Sequence, residues 1–339
     1  MIQEENMQRH IRVYDSNFVK WAKDKPEVVA LSADLTGGCE LRMFQETYPE
    51  RFFSMGIAEQ NMHSFAGGLA SEGFIPFVHT FAVFIYRRAL DQVTMSIAHP
   101  NAKVRLVGSV PGVTSPAGAT HQAIDDIGIM RTVPNMTILE CGDVADIESF
   151  FKLTEEIDGP VYVRMLRGEV PRLFNSPMKF NESRVVTEGK DIVLLSSGVC
   201  TEEAIRAVDA LKKKGLSIKH MHVTCLKPFN DMKIMDAISD SKYGVVTIEN
   251  HSVIGGLGSI VADKMAELGL PKKLYKIGIQ DEYMHGGSKL YLMKRYKIDA
   301  MSVINTIENI VEETLDITEK MIEEFHFELL HDDTRSLGV

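Results

Sequence analysis

The sequence predicts an α/β protein of two domains, each with a mostly parallel sheet flanked by helices. Three observations carry that expectation. Strand-like apolar runs alternate with helical periods along most of the chain, as they do where crossover helices link parallel strands. The 339 residues exceed what one ordinary core takes up. The alternation is broken once, after Leu173, by a stretch rich in Pro, Asn, Ser and Gly, and it resumes at Ile192.

In the first unit the apolar runs at 28–31, 74–78, 104–107, 136–139 and 161–164 read as strands. The segments 14–23, 60–71, 85–98 and 143–156 read as helices between them. In the second unit 192–196 is a buried strand, and Thr201-Glu202-Glu203-Ala204 opens a helix with its own cap. Further strands fit 217–223, 244–249 and 274–279, and an amphipathic helix runs from Val303 onward. The expected division is a first domain over 1–173, a linker over 174–190, a second domain over 191–315 and a helical, polar tail over 316–339.

Composition is that of a globular chain: 45% hydrophobic, 25% charged, net charge −10. The acidity argues against nucleic acid or an anionic membrane as the main partner. No apolar run is long enough to span a bilayer, and the polar start MIQEENMQRH is neither signal peptide nor anchor. Cys39, Cys141, Cys200 and Cys225 are dispersed without a CxxC spacing, which suits reduced, structural thiols. A cytoplasmic location is expected.

Chemistry concentrates in four places. Glu59, in Gly56-Ile57-Ala58-Glu59-Gln60-Asn61-Met62, precedes a small-residue helix in apolar surroundings. A carboxyl group there can hydrogen-bond a heterocyclic ring nitrogen, or it can merely cap the helix, whose dipole favours acids. Asp34 follows a strand at the end that faces the crevice of a parallel sheet, as a site residue or as an Asx turn. Phe81 and Phe84 are spaced to stack on a planar ring or to fill a core. His121 follows the Gly-rich loop 112–120, placed to donate to a hydroxyl or relay a proton.

Together these segments resemble the C-terminal half of the transketolases, a pyrimidine-binding domain followed by a C-terminal domain, over residues 9–310. The resemblance rests on Ser32-Ala33-Asp34-Leu35, the Glu59 segment, Thr80-Phe81-Ala82-Val83-Phe84, Thr120-His121-Gln122-Ala123, Arg131-Thr132-Val133-Pro134-Asn135-Met136 and Gly159-Pro160-Val161-Tyr162-Val163-Arg164. In the second domain it includes the run from Glu249 to Gly258. It implies a thiamine diphosphate enzyme that moves a two-carbon ketol unit from a ketose to an aldose. Glu59 would be the acid that activates the cofactor through its aminopyrimidine, with Phe81 and Phe84 packing on that ring and Asp34 nearby. His121 would be catalytic and, with Arg12 and Arg167, would contact sugar hydroxyls or a terminal phosphate.

The same resemblance exposes departures. The substrate loop reads Ser115-Pro116-Ala117-Gly118 where transketolases generally carry Gly-Glu-Asp-Gly, so an acidic contact is missing at Ala117. A family histidine falls at Ser109, and a serine that touches sugar phosphate falls at Gly38. A non-standard ketose is therefore expected, such as apulose 4-phosphate or 6-deoxy-6-sulfofructose.

The diphosphate and Mg2+ clamp is also missing. Its closest string, Cys141-Gly142-Asp143-Val144, opens an ordinary helix, and no metal ligands are assigned to this chain. An N-terminal transketolase subunit would supply the clamp in an α2β2 assembly. His251 and His285, each beside glycines, are read as packing residues rather than a metal pair. Two alternatives remain at this point: the β subunit of a 2-oxo acid dehydrogenase, and a catalytically silent scaffold.

Overall fold

The computed structural model describes residues 8–323 and 328–329. A seven-stranded sheet forms the first unit, in the order Cys225–Lys227, Thr137–Glu140, Val161–Met165, Arg105–Ser109, Ile75–Phe81, Val28–Ser32 and Phe52–Ser54. All pairs are parallel except the first, which is antiparallel and comes from the second half of the chain. The central strands are apolar along their length because helices cover both faces; Val28, Ala30 and Leu31 are fully buried. On one face Phe18 of the helix Val13–Trp21 stacks on Phe44 at 4.4 Å and on Phe151 of the helix Val144–Glu155 at 5.3 Å.

The second unit is a five-stranded sheet in the order Leu274–Ile279, Gly244–Ser252, Ile192–Ser196, Ile218–His222 and Arg184–Thr187, parallel but for the last. A small third sheet places Gln8–His10 between Val170–Pro171 and Glu328–Leu329. The α/β architecture with two mostly parallel sheets is therefore as the sequence predicts.

Four details differ from expectation. The stretch 174–190 holds the strand Arg184–Thr187, whose pairing with Met221 and His222 extends the second sheet. The helix expected over 85–98 is split into Ala82–Arg87, Leu90–Gln92 and a π-helical segment Val93–Ala98, with Ala89 out of helical geometry between the first two. Thr201 does not cap its helix, which spans Cys200–Lys213. Its buried hydroxyl instead bonds His222 Nδ1 at 2.7 Å, so tertiary bonding overrides the capping role. The last long helix spans Ala300–Val311, capped by Asp299 and ended by left-handed Glu312, rather than running on from Val303. A short helix, Glu319–Glu323, falls in the expected tail; residues 1–7, 324–327 and 330–339 lie outside the described set.

Asp143 does open a helix: it accepts from Asp146 N at 2.9 Å and from Leu173 N and Phe174 N. The four cysteines are free and buried. Among the described residues no helix is long and apolar enough to cross a membrane, and no three His, Cys, Asp or Glu side chains gather as metal ligands.

The two sheets meet at a buried polar junction. Fully buried Arg164 donates to Asp126 at 2.8 Å, to Glu140, and to the carbonyls of Ala123 and Asn250 at 3.0 and 2.9 Å. Glu249 accepts from Leu257 N and Gly258 N, holding the start of the helix Leu257–Glu267. Asn250 donates to Pro111 O and accepts from Val113 N, both at 2.9 Å. The Glu249-Asn250-His251 segment thus pins the base of the loop that carries His121. His251 is itself buried, its Nδ1 on Ser252 O at 2.8 Å.

Candidate active site

The candidate residues share one edge of the first sheet. Strand register aligns Ser32 with Ser54 and His79, Phe81 with Ser109, and Ser109 with Met165. The residues that follow these carboxyl ends are Asp34, Glu59, Phe84 and Arg167, so neighbouring parallel strands deliver them to one crevice.

Glu59 is the first residue of the helix Glu59–Ser71 and is only 3% exposed. Its Oε1 accepts from Arg88 Nη1 at 2.7 Å, and the Arg88 guanidinium lies 3.8 Å from the centre of the Phe84 ring. His63, one turn along the helix, donates from Nδ1 to the Glu59 carbonyl at 2.6 Å, and burial lowers its pKa to about 4. Neutral His63 therefore leaves Glu59 no second cationic neighbour on its own helix. Gly67 packs this helix against the Ser96 backbone so closely that any side chain there would collide, which accounts for the small residues of the segment.

Phe81 and Phe84 are near-parallel, with centroids 6.1 Å apart. His121 meets Phe84 edge-on at 5.3 Å and Phe81 at 6.4 Å. Its loop is held from both sides: buried Gln122 donates to Ser115 O at 3.0 Å and to His285 O at 3.1 Å, and Gly287 N donates to Pro116 O. His285 thus acts through its backbone while its side chain is exposed.

At the other side of Phe81, the Arg167 guanidinium lies 5.9 Å from the ring centre and donates to Gly38 O at 2.7 Å. A side chain on Gly38 would press on Phe81 and Leu35, both at 3.3 Å. Ser109 is buried and bonded to Cys39, whose thiol burial pushes up to about 12. Glu40, left-handed at φ 55°, accepts from Gly168 N at 2.8 Å. Burial raises its pKa, while Arg167 and Arg12, both within electrostatic reach, oppose the rise. Asp34 is exposed at φ 60°. Neither it nor Arg12 is joined to the Phe81–Phe84–His121 group by a hydrogen bond or ring contact among the described residues. Ala117 is exposed on the loop.

The structure therefore links Glu59, through Arg88, with Phe84, Phe81, His121 and Arg167, and joins neither Asp34 nor Arg12 to them. Sequence reasoning missed Arg88, Glu40, Gln122 and Asn250. Gln122 and Asn250 lie in segments that carry the resemblance, but no role was assigned to them, and Arg88 and Glu40 were not singled out.

The crevice thus joins a buried acid, an aromatic pair and the guanidinium that lies between them. Two family models match the chain. The transketolase pyrimidine-binding domain matches residues 10–172, and the transketolase C-terminal domain matches residues 181–303. The chain belongs to the transketolase family. It is 35% identical over 303 residues to a 6-deoxy-6-sulfo-D-fructose transketolase subunit from Clostridium sp. (strain MSTE9), covering 88% of this chain and 93% of that protein. It is 31% identical to an apulose-4-phosphate transketolase subunit from Actinobacillus succinogenes, covering 88% of this chain and 97% of that one. Among solved structures, a split-gene transketolase described as an inactive β4 tetramer superposes with a TM-score of 0.79 at 35% identity. That match covers 88% of this chain and 97% of the other.

Proposed function

We propose that this chain is the pyrimidine-binding subunit of a two-subunit, thiamine diphosphate-dependent transketolase. It would transfer a ketol unit from a ketose with a charged terminus to an aldose phosphate. The observation that carries this reading is Glu59, a buried carboxyl group at a helix start beside the Phe84 ring face. The space between them takes a flat group with N–H donors, because the Arg88 guanidinium lies in it. An aminopyrimidine presents the same two features, so the residues fit the cofactor's ring.

When bound, the cofactor supplies the electron sink for carbon–carbon cleavage. The chain's own residues do the rest. Glu59 holds a proton at the pyrimidine nitrogen and so selects the ring's tautomer; Phe84, backed by Phe81, fixes the plane of the ring. His121 stands against the same aromatic pair, where it can exchange a proton with a substrate hydroxyl. Arg167 and Arg12 offer guanidinium groups to the distal anion.

The diphosphate and Mg2+ are assigned to an N-terminal partner in an α2β2 assembly. Two observations support that assignment. Ile57 and Met95 are 71% and 55% exposed near Glu59, with Phe65 and Leu90 also exposed, an apolar surface suited to a second chain. The solved relative described as a β4 tetramer is also described as inactive.

Co-purification with the N-terminal subunit and a screen of ketose donors with thiamine diphosphate and Mg2+ tests the reading. The pair is expected to transfer ketol units and to scatter light as a heterotetramer, and this chain alone is expected to do neither. Tight, Mg2+-dependent cofactor binding by this chain alone, or CO2 release from a 2-oxo acid by the pair, would contradict it.

A further inference from the structure

Arg88 makes two contacts at once: a 2.7 Å bond to the buried Glu59 carboxylate and a 3.8 Å approach to the face of Phe84. Those are the two surfaces that the proposed cofactor ring needs. A guanidinium is flat, delocalised and rich in N–H donors, so it satisfies both as an aromatic amine would. Two groups cannot occupy one ring face and one carboxylate oxygen together.

We infer that Arg88 is an internal occupant of the aminopyrimidine slot and must leave it for the cofactor to bind. The inference rests on the function proposed above. Several features make the displacement feasible. Arg88 closes the helix Ala82–Arg87, and Ala89 beyond it is out of helical geometry, so its long side chain is not locked into a helical face. Its side chain is 43% exposed, which leaves water on one side to receive the charge. Its bonded partner Glu59, by contrast, is 3% exposed and fixed at a helix start.

Arg88 in place therefore keeps both the Glu59 carboxyl group and the Phe84 face engaged. Its departure releases both in one motion. In that sense Arg88 positions and guards the acid without touching the substrate.

The test measures thiamine diphosphate association, by stopped-flow fluorescence and calorimetry with Mg2+, in the reconstituted two-subunit complex. Removing the internal competitor in Arg88→Ala should tighten binding by about 5- to 30-fold, the combined worth of a part-exposed ion pair and a cation–π contact. Arg88→Lys, which keeps the charge but not the flat face, should fall between wild type and Ala. A control such as Arg87→Ala should leave cofactor binding at the wild-type level. Unchanged or weaker cofactor binding in Arg88→Ala, with normal binding by the wild type, would overturn this inference and leave the cofactor reading standing. Absence of binding by the wild type and every variant would overturn the cofactor reading, and this inference with it.

Discussion

The two parallel sheets of this chain end differently at their carboxyl edges. In the first, the strand ends open on a crevice where Arg88, Arg167, Arg12 and His121 remain partly or fully exposed and Glu59 has one cationic partner. In the second, the strand ends are just as polar, with Ser196, His220, His222, Glu249, Asn250 and His251, yet every one of these is buried. The first domain fills that second crevice. Asp146 bonds His222 at 2.9 Å, His222 bonds Thr201, and Thr201 and His220 both bond Ser196. Arg164 closes the remainder through Asp126, Glu140 and the Asn250 carbonyl. Polar residues after parallel strands thus mark a crevice, but only exposure separates a ligand site from a domain junction.

The largest expected effects come from one substitution at each edge, with opposite signatures. Glu59→Gln keeps the size and an acceptor for Arg88 but cannot supply the acid. In the reconstituted complex it should lower turnover by about 10²–10⁴-fold while leaving assembly intact. Arg164→Met should do the reverse, because it leaves Asp126 and Glu140 buried without their cation. Loss of one partner of a buried pair costs about 3–5 kcal/mol, to be read as a fall in the denaturation midpoint. A stable Arg164→Met, or an unfolded Glu59→Gln, would break the contrast between the two edges.

A smaller effect follows from buried histidines, two beneath the open edge and one at the filled edge. Burial lowers the pKa of His63 to about 4 and of His79 and His220 to about 3. In the unfolded chain each returns to an ordinary value near 6.5. Below that pH the unfolded state binds protons that the folded state refuses. Their contribution to stability is thus complete above pH ~6.5 and is lost as the pH falls toward the folded values. The slope is about 1.4 kcal/mol per pH unit for each histidine. Denaturant midpoints measured from pH 7.5 to 5 should show it, and His220→Gln, which can still bond Ser196, should remove one histidine's share. A flat profile would show that these rings are protonated in place.

How much of this was legible in the sequence depends on whether the signal was local. Glu59 stood out because a carboxylate among Ile57, Ala58 and Met62 is out of keeping with its neighbours, and the alternating periods predicted both sheets. The strand Arg184–Thr187 was hidden because its pairing partner, Ile218–His222, lies about thirty residues away and its own burial is incomplete. Thr201 looked like a cap for the same reason: nothing near it announces His222. Arg88 drew no reading, since its bond to Glu59 spans 29 residues. Glu40 was invisible because a glutamate after Gly37-Gly38-Cys39 looks like loop surface until its burial and its bond to Gly168 N are seen.

Glu40 gives the smallest and most specific expectation, and it sharpens what the open edge selects. The two arginines that would hold the substrate's distal anion lie within electrostatic reach of one carboxylate, anchored by Gly168 N at 2.8 Å. A nearby second acid, Asp15, is pushed up to about 6 by burial and accepts from Met43 N and Phe44 N. A terminus with two negative charges meets this acidic background twice as strongly as a terminus with one. Glu40→Gln keeps the acceptor for Gly168 N and removes the charge. Each unit of like charge at about 4 Å in a solvated setting is worth ~1 kcal/mol, which is about 5-fold. The variant should therefore shift the kcat/KM ratio by about 5-fold in favour of phosphate-ended over sulfonate-ended ketoses near pH 7.5, where phosphate is largely dianionic. The shift should shrink as salt screens the site. Equal changes for both substrates would mean that Glu40 shapes the loop and takes no part in choosing the anion.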